Sequence, residues 1–192
     1  MTARGESFPQ PHSTRRLTAA EFAHSYESCA AQLWTLAAAI MGERAEVDDI
    51  VQEACGIALG KLDVFERGTS FPAWMAGIVR FTALNHLRAR RRRQALVELD
   101  VEQLWERGVE TSAATVDARG RLLDGEDFDE AVVRALAALT PAARACLLLR
   151  TLRELEYREI AELLAIPEGT AMSHVHRARA AMRATLAQGA TR

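Results

Sequence analysis

The chain has 192 residues, of which 49% are hydrophobic, and its 24 basic and 26 acidic side chains give a formal net charge of −2. This near-neutral charge excludes a small protein that is basic throughout, but it does not exclude a local basic patch, because a sum hides its distribution. We find neither an apolar signal core nor a stretch near the ~20 apolar residues of a membrane span, so we expect a cytoplasmic protein without membrane insertion.

The charges are distributed in blocks of opposite sign. Net charges are −5 over residues 43–66, +7 over residues 67–93, −8 over residues 94–133 and +4 over residues 171–192. Both positive blocks contain arginines and no acidic residue. Such blocks predict separate surfaces for separate partners.

The composition favours helix. Alanine is abundant, and no useful stretch alternates apolar and polar side chains as a half-buried strand would, so we predict an all-α protein. The cysteines, Cys29, Cys55 and Cys146, are widely spaced without a CxxC pair. This spacing is typical of buried reduced thiols rather than of a disulfide framework.

Three long helices are predicted in the first half of the chain. After a flexible tail over residues 1–16, Thr18-Ala-Ala-Glu21 fits a capping box that opens the first helix, and Gly42 can end it in the left-handed conformation. A second helix is predicted over residues 45–64. The third is expected over residues 71–93, with a proline in its first turn.

Four shorter helices are predicted after an acidic linker, which itself has a short helix near residues 96–105. Their expected ranges are 128–139, 141–152, 157–164 and 168–188. Thr140 and Pro141 suit the N-cap and first position of the second of these helices. A three-residue turn before the last helix gives a helix-turn-helix pattern. We therefore predict two small helical domains, at residues 17–94 and 127–188, joined by the linker at residues 95–126.

The last predicted helix has two faces. Its packing face is formed by Ala171, Val175, Ala178, Met182 and Leu186. Arginines lie mostly off that face, and no acidic residue follows Glu168. Such a helix suits the major groove, where guanidinium groups fork onto phosphates or guanine edges. The alternative is a solvated amphipathic helix of a bundle.

Five arginines lie within residues 88–93, at the end of the third predicted helix. They complement the negative end of the helix dipole, but a phosphate backbone explains so dense a cluster better. Phe71 and Trp74 precede the cluster, and aromatic rings beside a basic patch can stack on unpaired bases. Either ring taken alone is more often part of a core.

Two sets of segments resemble a known family. The segments that resemble region 2 of bacterial sigma factors are Ala45-Glu-Val-Asp-Asp-Ile-Val-Gln-Glu53, Phe71-Pro-Ala-Trp-Met-Ala-Gly-Ile-Val-Arg80 and Leu87-Arg-Ala-Arg-Arg-Arg-Arg93. Those that resemble region 4 are Leu139-Thr-Pro-Ala-Ala-Arg144, Leu155-Glu-Tyr-Arg-Glu-Ile-Ala-Glu-Leu-Leu164, Gly169-Thr170 and His176-Arg-Ala-Arg179. In size, two domains and short acidic linker the chain is similar to the extracytoplasmic-function (ECF) group of the sigma-70 family. The resemblance covers about residues 18–187.

The resemblance implies a partner for each charged surface. The acidic helix of region 2 would dock on the β′ clamp helices of core RNA polymerase through Asp48, Asp49, Gln52 and Glu53. A loop and the following helix would hold the −10 promoter element through Arg67, Ser70, Phe71, Trp74, Arg80, Asn85, Arg88, Arg91 and Arg92. The last helix would read the −35 element through Thr170, Met172, Ser173, His174, His176, Arg177 and Arg179.

The same resemblance implies further partners. The acidic linker would thread the polymerase cleft, and the β flap would be another contact. Many relatives are held inactive by an anti-sigma factor clamped between the two domains, which makes such a factor a candidate partner here. No cofactor or metal is implied, since His174 and His176 are two apart on a helix and point in different directions. We find no nucleophile–base pair, so we expect a promoter-specific sigma factor and not an enzyme.

The sequence departs from the family pattern at five positions, namely Phe81, Asn85, Ala165, Met172 and His174. Two alternatives to a sigma factor remain open, and these departures motivate the first of them. One alternative, based on Phe81, Met172 and His174, is a polymerase-docking or sequestration protein without promoter recognition. The other is a helix-turn-helix regulator that binds duplex DNA without polymerase. Each alternative neglects one half of the chain. Ala165 replaces a common glycine of the turn, which costs strain if the residue needs a positive φ.

Overall fold

The structure, a computed structural model, describes residues 16–42, 45–93, 105 and 130–189. Within these ranges it contains seven helices and no strand. The helices are α1 (Ala19–Met41), α2 (Val47–Leu59), α3 (Phe71–Arg93), α4 (Glu130–Ala137), α5 (Pro141–Leu152), α6 (Tyr157–Leu164) and α7 (Glu168–Gly189). The all-α prediction is confirmed for the described residues. The predicted tail and most of the linker, including its short helix, lie outside them.

The predicted ends of α1 are confirmed. The hydroxyl of Thr18 accepts the backbone N–H of Glu21 at 3.2 Å, and the Glu21 carboxylate accepts the backbone N–H of Thr18 at 2.8 Å. Gly42 ends the helix in the left-handed conformation, with φ at 75°. Between these caps, the second half of α1 is buried almost continuously, because α2, α3 and α5 all pack against it.

Helix α2 is shorter than predicted. It ends at Leu59, whereas the sequence predicted a helix to residue 64. After Gly60 the backbone makes i to i−3 bonds, from Lys61 to Ala58 and from Val64 to Lys61. The exposed side chains of Leu59 and Val64 supply no burial to extend the helix, and a glycine inside a helix costs about 1 kcal/mol relative to alanine.

In the second domain, the start of α5 agrees with the sequence prediction and the end of α4 does not. The Thr140 hydroxyl accepts the backbone N–H of Ala143 at 3.3 Å, and Pro141 takes the first turn of α5. Helix α4 ends at Ala137, two residues before the predicted end. In the turn between α6 and α7, Ala165 has φ at 54°. The predicted strain is therefore present, because a left-handed residue with a Cβ costs roughly 1–2 kcal/mol.

The two domains pack directly against each other. Helix α5 of the second domain contacts α1, and α6 contacts α3. Buried apolar residues of both domains form one continuous cluster. The linker contributes a tryptophan, Trp105, to the same cluster. The four helices of the second domain are thus held on the first domain rather than apart from it.

A buried arginine lies at the centre of this interface. Arg144, on α5, is 6% exposed and its Nε donates to the carbonyl oxygen of Ala39. Its Nη2 donates to the carbonyl of Ile40 at 3.3 Å, and its Nη1 to that of Leu136, also at 3.3 Å. Two of the three carbonyls belong to the last turn of α1, whose free carbonyls and negative dipole end suit a cation.

A second polar contact joins the domains nearby. The Nε of Arg153, just after α5, donates to the hydroxyl of Thr35 on α1 at 2.8 Å. Close approach at the end of α1 also depends on Gly42, because a Cβ there would lie 3.3 Å from the Nη2 of Arg144. The end of α1, which Gly42 marks in the sequence, is therefore also the surface on which the second domain packs.

Candidate functional site

An acidic surface lies on the exposed side of α2. The four side chains predicted to dock on a protein partner, Asp48, Asp49, Gln52 and Glu53, are all exposed. Two of them are held in place by neighbouring helices. The indole Nε1 of Trp34 donates to Asp48 Oδ1 at 2.8 Å, and His86 Nε2 lies 2.7 Å from Glu53 Oε2. The surface is therefore oriented by α1 and α3 as well as by its own helix.

A cleft of about 520 Å³ lies beside this acidic surface, between α1 and α2. Tyr26 and Trp34 line it from α1, and Val51 and Cys55 from α2. Burial, with the neighbouring Cys55, raises the pKa of Tyr26 to about 12. Burial also raises the pKa of the Cys55 thiol above its ordinary value. Both groups are protonated at neutral pH, so the cleft is a weakly polar recess next to carboxylates, not a nucleophilic site.

A basic surface lies on the second half of α3, from Arg80 onward. Arg80 and Arg88 are half-buried and Arg92 is exposed, while the side chain of Arg91 lies outside the described residues. Asn85, also predicted to touch DNA, is half-buried. Asn85, Arg88 and Arg92 recur at steps of three and four residues, which places them on one side of the helix.

The loop before α3 is tied to the start of α1. Arg67 Nη2 donates to Glu21 Oε2 at 2.7 Å and to the carbonyl oxygen of Arg16 at 3.1 Å. The Arg67 guanidinium, followed by the hydrogen bonds from Thr18, lowers the pKa of Glu21 from 4.5 to about 2. At the other end of the loop, the Ser70 hydroxyl accepts the backbone N–H of Ala73 at 3.4 Å. Two predicted DNA contacts, Arg67 and Ser70, therefore already have partners within the chain.

The aromatic rings near this loop form a cluster. Phe71 is 8% exposed and meets Phe22 and Phe65 edge to face, at ring-centre distances of 5.4 and 5.8 Å. Three rings cover Phe71 in the free protein, and its contact with DNA stays a prediction. Trp74 is half-buried and tilted against Phe65 at 5.1 Å. It keeps an accessible edge.

Helix α7 presents the second basic surface. Its predicted packing face is confirmed, with Ala171, Val175 and Ala178 buried and the last two positions half-buried. Most of its predicted DNA contacts are exposed, namely Met172, Ser173, His176, Arg177 and Arg179. Thr170 is half-buried.

His174 is the one predicted −35 contact on α7 whose side chain is buried, at 6% exposure. Its contact with DNA stays a prediction. It follows Ala171 by three positions and precedes Val175 by one, which places it at the edge of the packing face. The helical spacing in the sequence already indicates this position at the edge of the packing face, but an imidazole side chain is typical of a polar surface.

Three residues at the α3 surface and at the interface between the domains were not predicted from the sequence. Trp105 is 1% exposed, and the guanidinium carbon of Arg80 lies 5.5 Å from the centre of its ring. Arg144 and Arg153 hold the second domain on α1. Only Trp105 had a signal in the sequence, as the one tryptophan in the acidic linker.

Comparison with known proteins identifies both halves of the chain. The family model for sigma-70 region 2 matches residues 25–93, and the model for sigma-70 region 4 matches residues 129–182. The ECF RNA polymerase sigma-E factor of Escherichia coli (strain K12) is 33% identical over 139 residues, covering 71% of this chain and 72% of that protein.

The chain belongs to the ECF group of the sigma-70 family. It is an RNA polymerase sigma factor that acts in transcription initiation. The sigma-E factor of Haemophilus influenzae is 29% identical over 136 residues, covering 71% of this chain and 72% of that protein. Among solved structures, the sigma factor RpoE in complex with the anti-sigma factor NepR, from Bartonella quintana, has the same fold. Its TM-score is 0.59 at 24% identity, over 86% of this chain and 96% of that one.

Within the part of the chain that the structure describes, this sigma factor contains no helix long and apolar enough to cross a membrane. The same residues contain no cluster of three or more histidine, cysteine or acidic side chains that could hold a metal ion. The charged surfaces of the described residues are the acidic side of α2 and the basic sides of α3 and α7.

The Glu21–Arg67 pair predicts an acid-dependent contribution to stability. The folded-state pKa of Glu21 is about 2, below its ordinary value of 4.5. The stabilisation of the fold by the ionised Glu21 is thus complete above about pH 5 and is lost as the pH falls toward 2. We expect Glu21→Gln to lower the Tm at pH 7 and to lose less Tm than the wild type between pH 7 and pH 3. Circular dichroism melting measures this, with Glu27→Gln on the same helix as control. Equal acid sensitivity in Glu21→Gln and wild type would contradict the assignment.

Proposed function

We propose that this sigma factor binds core polymerase through α2, the −10 element through α3 and the −35 element through α7. The observation that carries this proposal is the separation of charge on the fold. The acidic side chains of α2 are exposed and held in place, while the arginines of α3 and α7 lie on helices with no acidic residue after Phe71 and Glu168, respectively. A cytoplasmic location follows from this role, because polymerase and the chromosome lie there.

The acidic surface of α2 suits a charged partner helix. Asp48 and Glu53 have fixed orientations through Trp34 and His86, so little side-chain entropy remains to be lost when a partner binds. The neighbouring cleft offers apolar walls next to Asp48 and Gln52. An amphipathic helix with basic and apolar side chains would contact both features, which agrees with docking on the β′ clamp helices.

A cleft of about 370 Å³ in the second domain suits a further polymerase contact. It lies between α4, α5 and α7, and its walls are mostly apolar, with Val132, Leu148 and Met182 among them. Arg179 and Arg183 line one edge. We assign this cleft to the β flap, because an apolar groove beside α7 would hold the second domain on polymerase while α7 faces DNA.

The basic side of α7 gives a prediction about duplex DNA. Arg177 and Arg179 are exposed, and their Nε atoms are free of acidic partners among the described ion pairs. Replacing both with alanine should weaken binding of the holoenzyme to a promoter fragment about 10- to 100-fold. It should also reduce the slope of log K against log salt by about 2, since each lost phosphate contact removes about 0.9. Filter binding at several salt concentrations measures both, with Arg134→Ala on α4 as control. An unchanged slope would exclude α7 as a phosphate-binding helix.

In-vitro transcription with core polymerase tests the function as a whole. Promoter-dependent initiation on a genomic library supports the proposal. Binding to core polymerase without initiation would instead support a sequestration protein, which the exposed Phe81 and Met172 motivate. DNA binding without affinity for core polymerase would support a separate helix-turn-helix regulator.

The closed arrangement of the two domains suggests an additional partner. A sigma factor that was solved in complex with the anti-sigma factor NepR has the same fold over 86% of this chain. We therefore propose that an anti-sigma factor binds this protein while α5 is packed on α1. Co-purification of such a factor from the native host, and its loss when Arg144 is replaced, is the expected result.

A further inference from the structure

Phe81 is an exposed aromatic ring on α3 to which the proposed function gives no role. Its side chain is 61% exposed, whereas Phe22 and Phe71 are buried and Phe65 is half-buried. None of the ring contacts among the described residues involves Phe81. A single exposed apolar side chain is ordinary in a folded protein. The surroundings of the ring on its helix therefore decide what it can do.

Phe81 lies in the middle of one side of α3. Exposed and half-buried positions follow each other along this side at steps of three or four residues, namely Trp74, Gly77, Phe81, Asn85, Arg88 and Arg92. Such steps place residues in a row along a helix. Arg88 is seven residues after Phe81, which is about 10 Å along the helix axis. Helix α3 contains no acidic residue, so the ring shares its row with positive charge alone.

Gly77 leaves the surface beside this ring open. It is exposed and lies one turn before Phe81, and a side chain on a helix extends over the turn that precedes it. A Cβ at Gly77 would meet no atom within 4 Å, so close packing does not require a glycine there. A glycine inside a helix is less stable than an alanine. The glycine thus leaves an unobstructed area of helix surface next to an exposed ring.

A ring and arginines in one row have the chemistry of a site for an unpaired strand. Proteins bind single-stranded nucleic acid by stacking its bases on aromatic side chains and by neutralising its backbone with basic side chains. Phe81 supplies the ring, and Arg88 and Arg92 supply the charge. A protein partner would instead favour apolar neighbours around the ring. Gly77 and Asn85, four residues before and after Phe81, offer no apolar side chain.

We propose that Phe81 stacks on an unpaired base of the −10 strand. This inference rests on the proposed role of α3 in holding that strand. A phenyl ring has no hydrogen-bond donor or acceptor, and every base has a π face, so the contact accepts any base. Phe81 therefore adds affinity without reading the sequence at its step of the strand. We expect the promoters of this protein to tolerate different bases at that step.

Two probes distinguish stacking on a base from binding of the backbone. One is a fluorescent oligothymidine of about 12 nucleotides. The other has the same sugar–phosphate backbone without bases. Both are titrated with the holoenzyme, with core polymerase alone as the blank. We expect Phe81→Leu to bind oligothymidine about tenfold more weakly than the wild type does, and to bind the abasic probe equally well. Oligodeoxyadenosine and oligodeoxycytidine should show the same loss.

Two further variants show whether the loss belongs to the ring. Phe81→Trp retains a π face, so it should keep the affinity of the wild type, and oligothymidine but not the abasic probe should quench its indole fluorescence. Val64→Ala shortens another side chain, which is 69% exposed, and should leave both affinities unchanged. If Phe81→Leu binds both probes as the wild type does, the inference is wrong. It is also wrong if Phe81→Leu loses affinity for core polymerase, because Phe81 would then be a protein contact.

Arginine variants of α3 separate this inference from the function on which it rests. Arg88→Ala and Arg92→Ala are titrated in the holoenzyme with the same two probes. If they weaken binding of both probes but Phe81→Leu weakens neither, only the stacking role fails. If they leave both probes unaffected, α3 does not hold the strand, and both its proposed function and this inference fail.

Discussion

Replacing Asp49 and Glu53 together with lysine should abolish binding to core RNA polymerase. Both side chains are exposed on α2, and Glu53 is held by His86 at 2.7 Å. Two charge reversals against a basic partner helix place like charges next to each other, which costs several kcal/mol. We expect Kd to rise about 100-fold or more, measured by titrating labelled core polymerase.

A matched variant distinguishes the loss of a docking contact from the effect of a changed net charge. Asp63 and Glu66 are exposed acids in the segment after α2, and replacing both with lysine changes the net charge equally. This control should bind core polymerase within about threefold of the wild type, since rim charges mainly change the association rate. If both double variants lose affinity to the same extent, α2 is not the docking helix and the effect is one of net charge.

Replacing Arg144 with methionine should release the second domain from the first. The change leaves the carbonyls of Ala39, Ile40 and Leu136 without their buried donor. Hydrogen bonds to a charged group contribute about 1.5–3 kcal/mol each, so the interface should lose a large part of its stability. Small-angle X-ray scattering should report a radius of gyration above the ~16 Å expected for a compact chain of this length.

Separation of the two domains matters for function, because the closed protein is smaller than the distance between the two promoter elements. The −10 and −35 elements are about 25 base pairs apart by their names, or roughly 85 Å at 3.4 Å per pair. A compact chain of this size is about 40 Å across. We therefore expect Arg144→Met to bind promoter DNA more readily than the wild type in the absence of polymerase.

Three further variants make the Arg144 result interpretable. Arg144→Lys keeps the charge but cannot reach three carbonyls, so it should open partly. Arg153→Ala removes only the bond to Thr35 and should also open partly. Arg183→Met makes the same chemical change at an exposed position of α7 and should stay compact. A compact Arg144→Met variant with a normal Tm would mean that apolar packing alone holds the domains together.

Much of this protein follows from local sequence alone. The caps at Thr18, Gly42 and Thr140, and the packing face of α7, were predicted correctly. Such features depend on residues within about one or two turns of each other, because caps satisfy nearby backbone groups and helical periodicity repeats every 3.6 residues. The acidic and basic blocks predict separate surfaces for the same reason, because residues that are close in the sequence lie on the same helix.

Contacts between distant segments were decided by the tertiary structure. Phe71 and His174 are buried, and only the packing of the helices in the folded chain buries them. Arg144 meets carbonyls more than 100 positions away in the chain, and Trp105 returns to Arg80. No periodicity encodes such pairs, because each partner has an ordinary local pattern and the pairing depends on how whole helices dock. The sequence by itself determined which helices form and what charge each carries, and only the tertiary structure decided which of those charges already have a partner in the free protein.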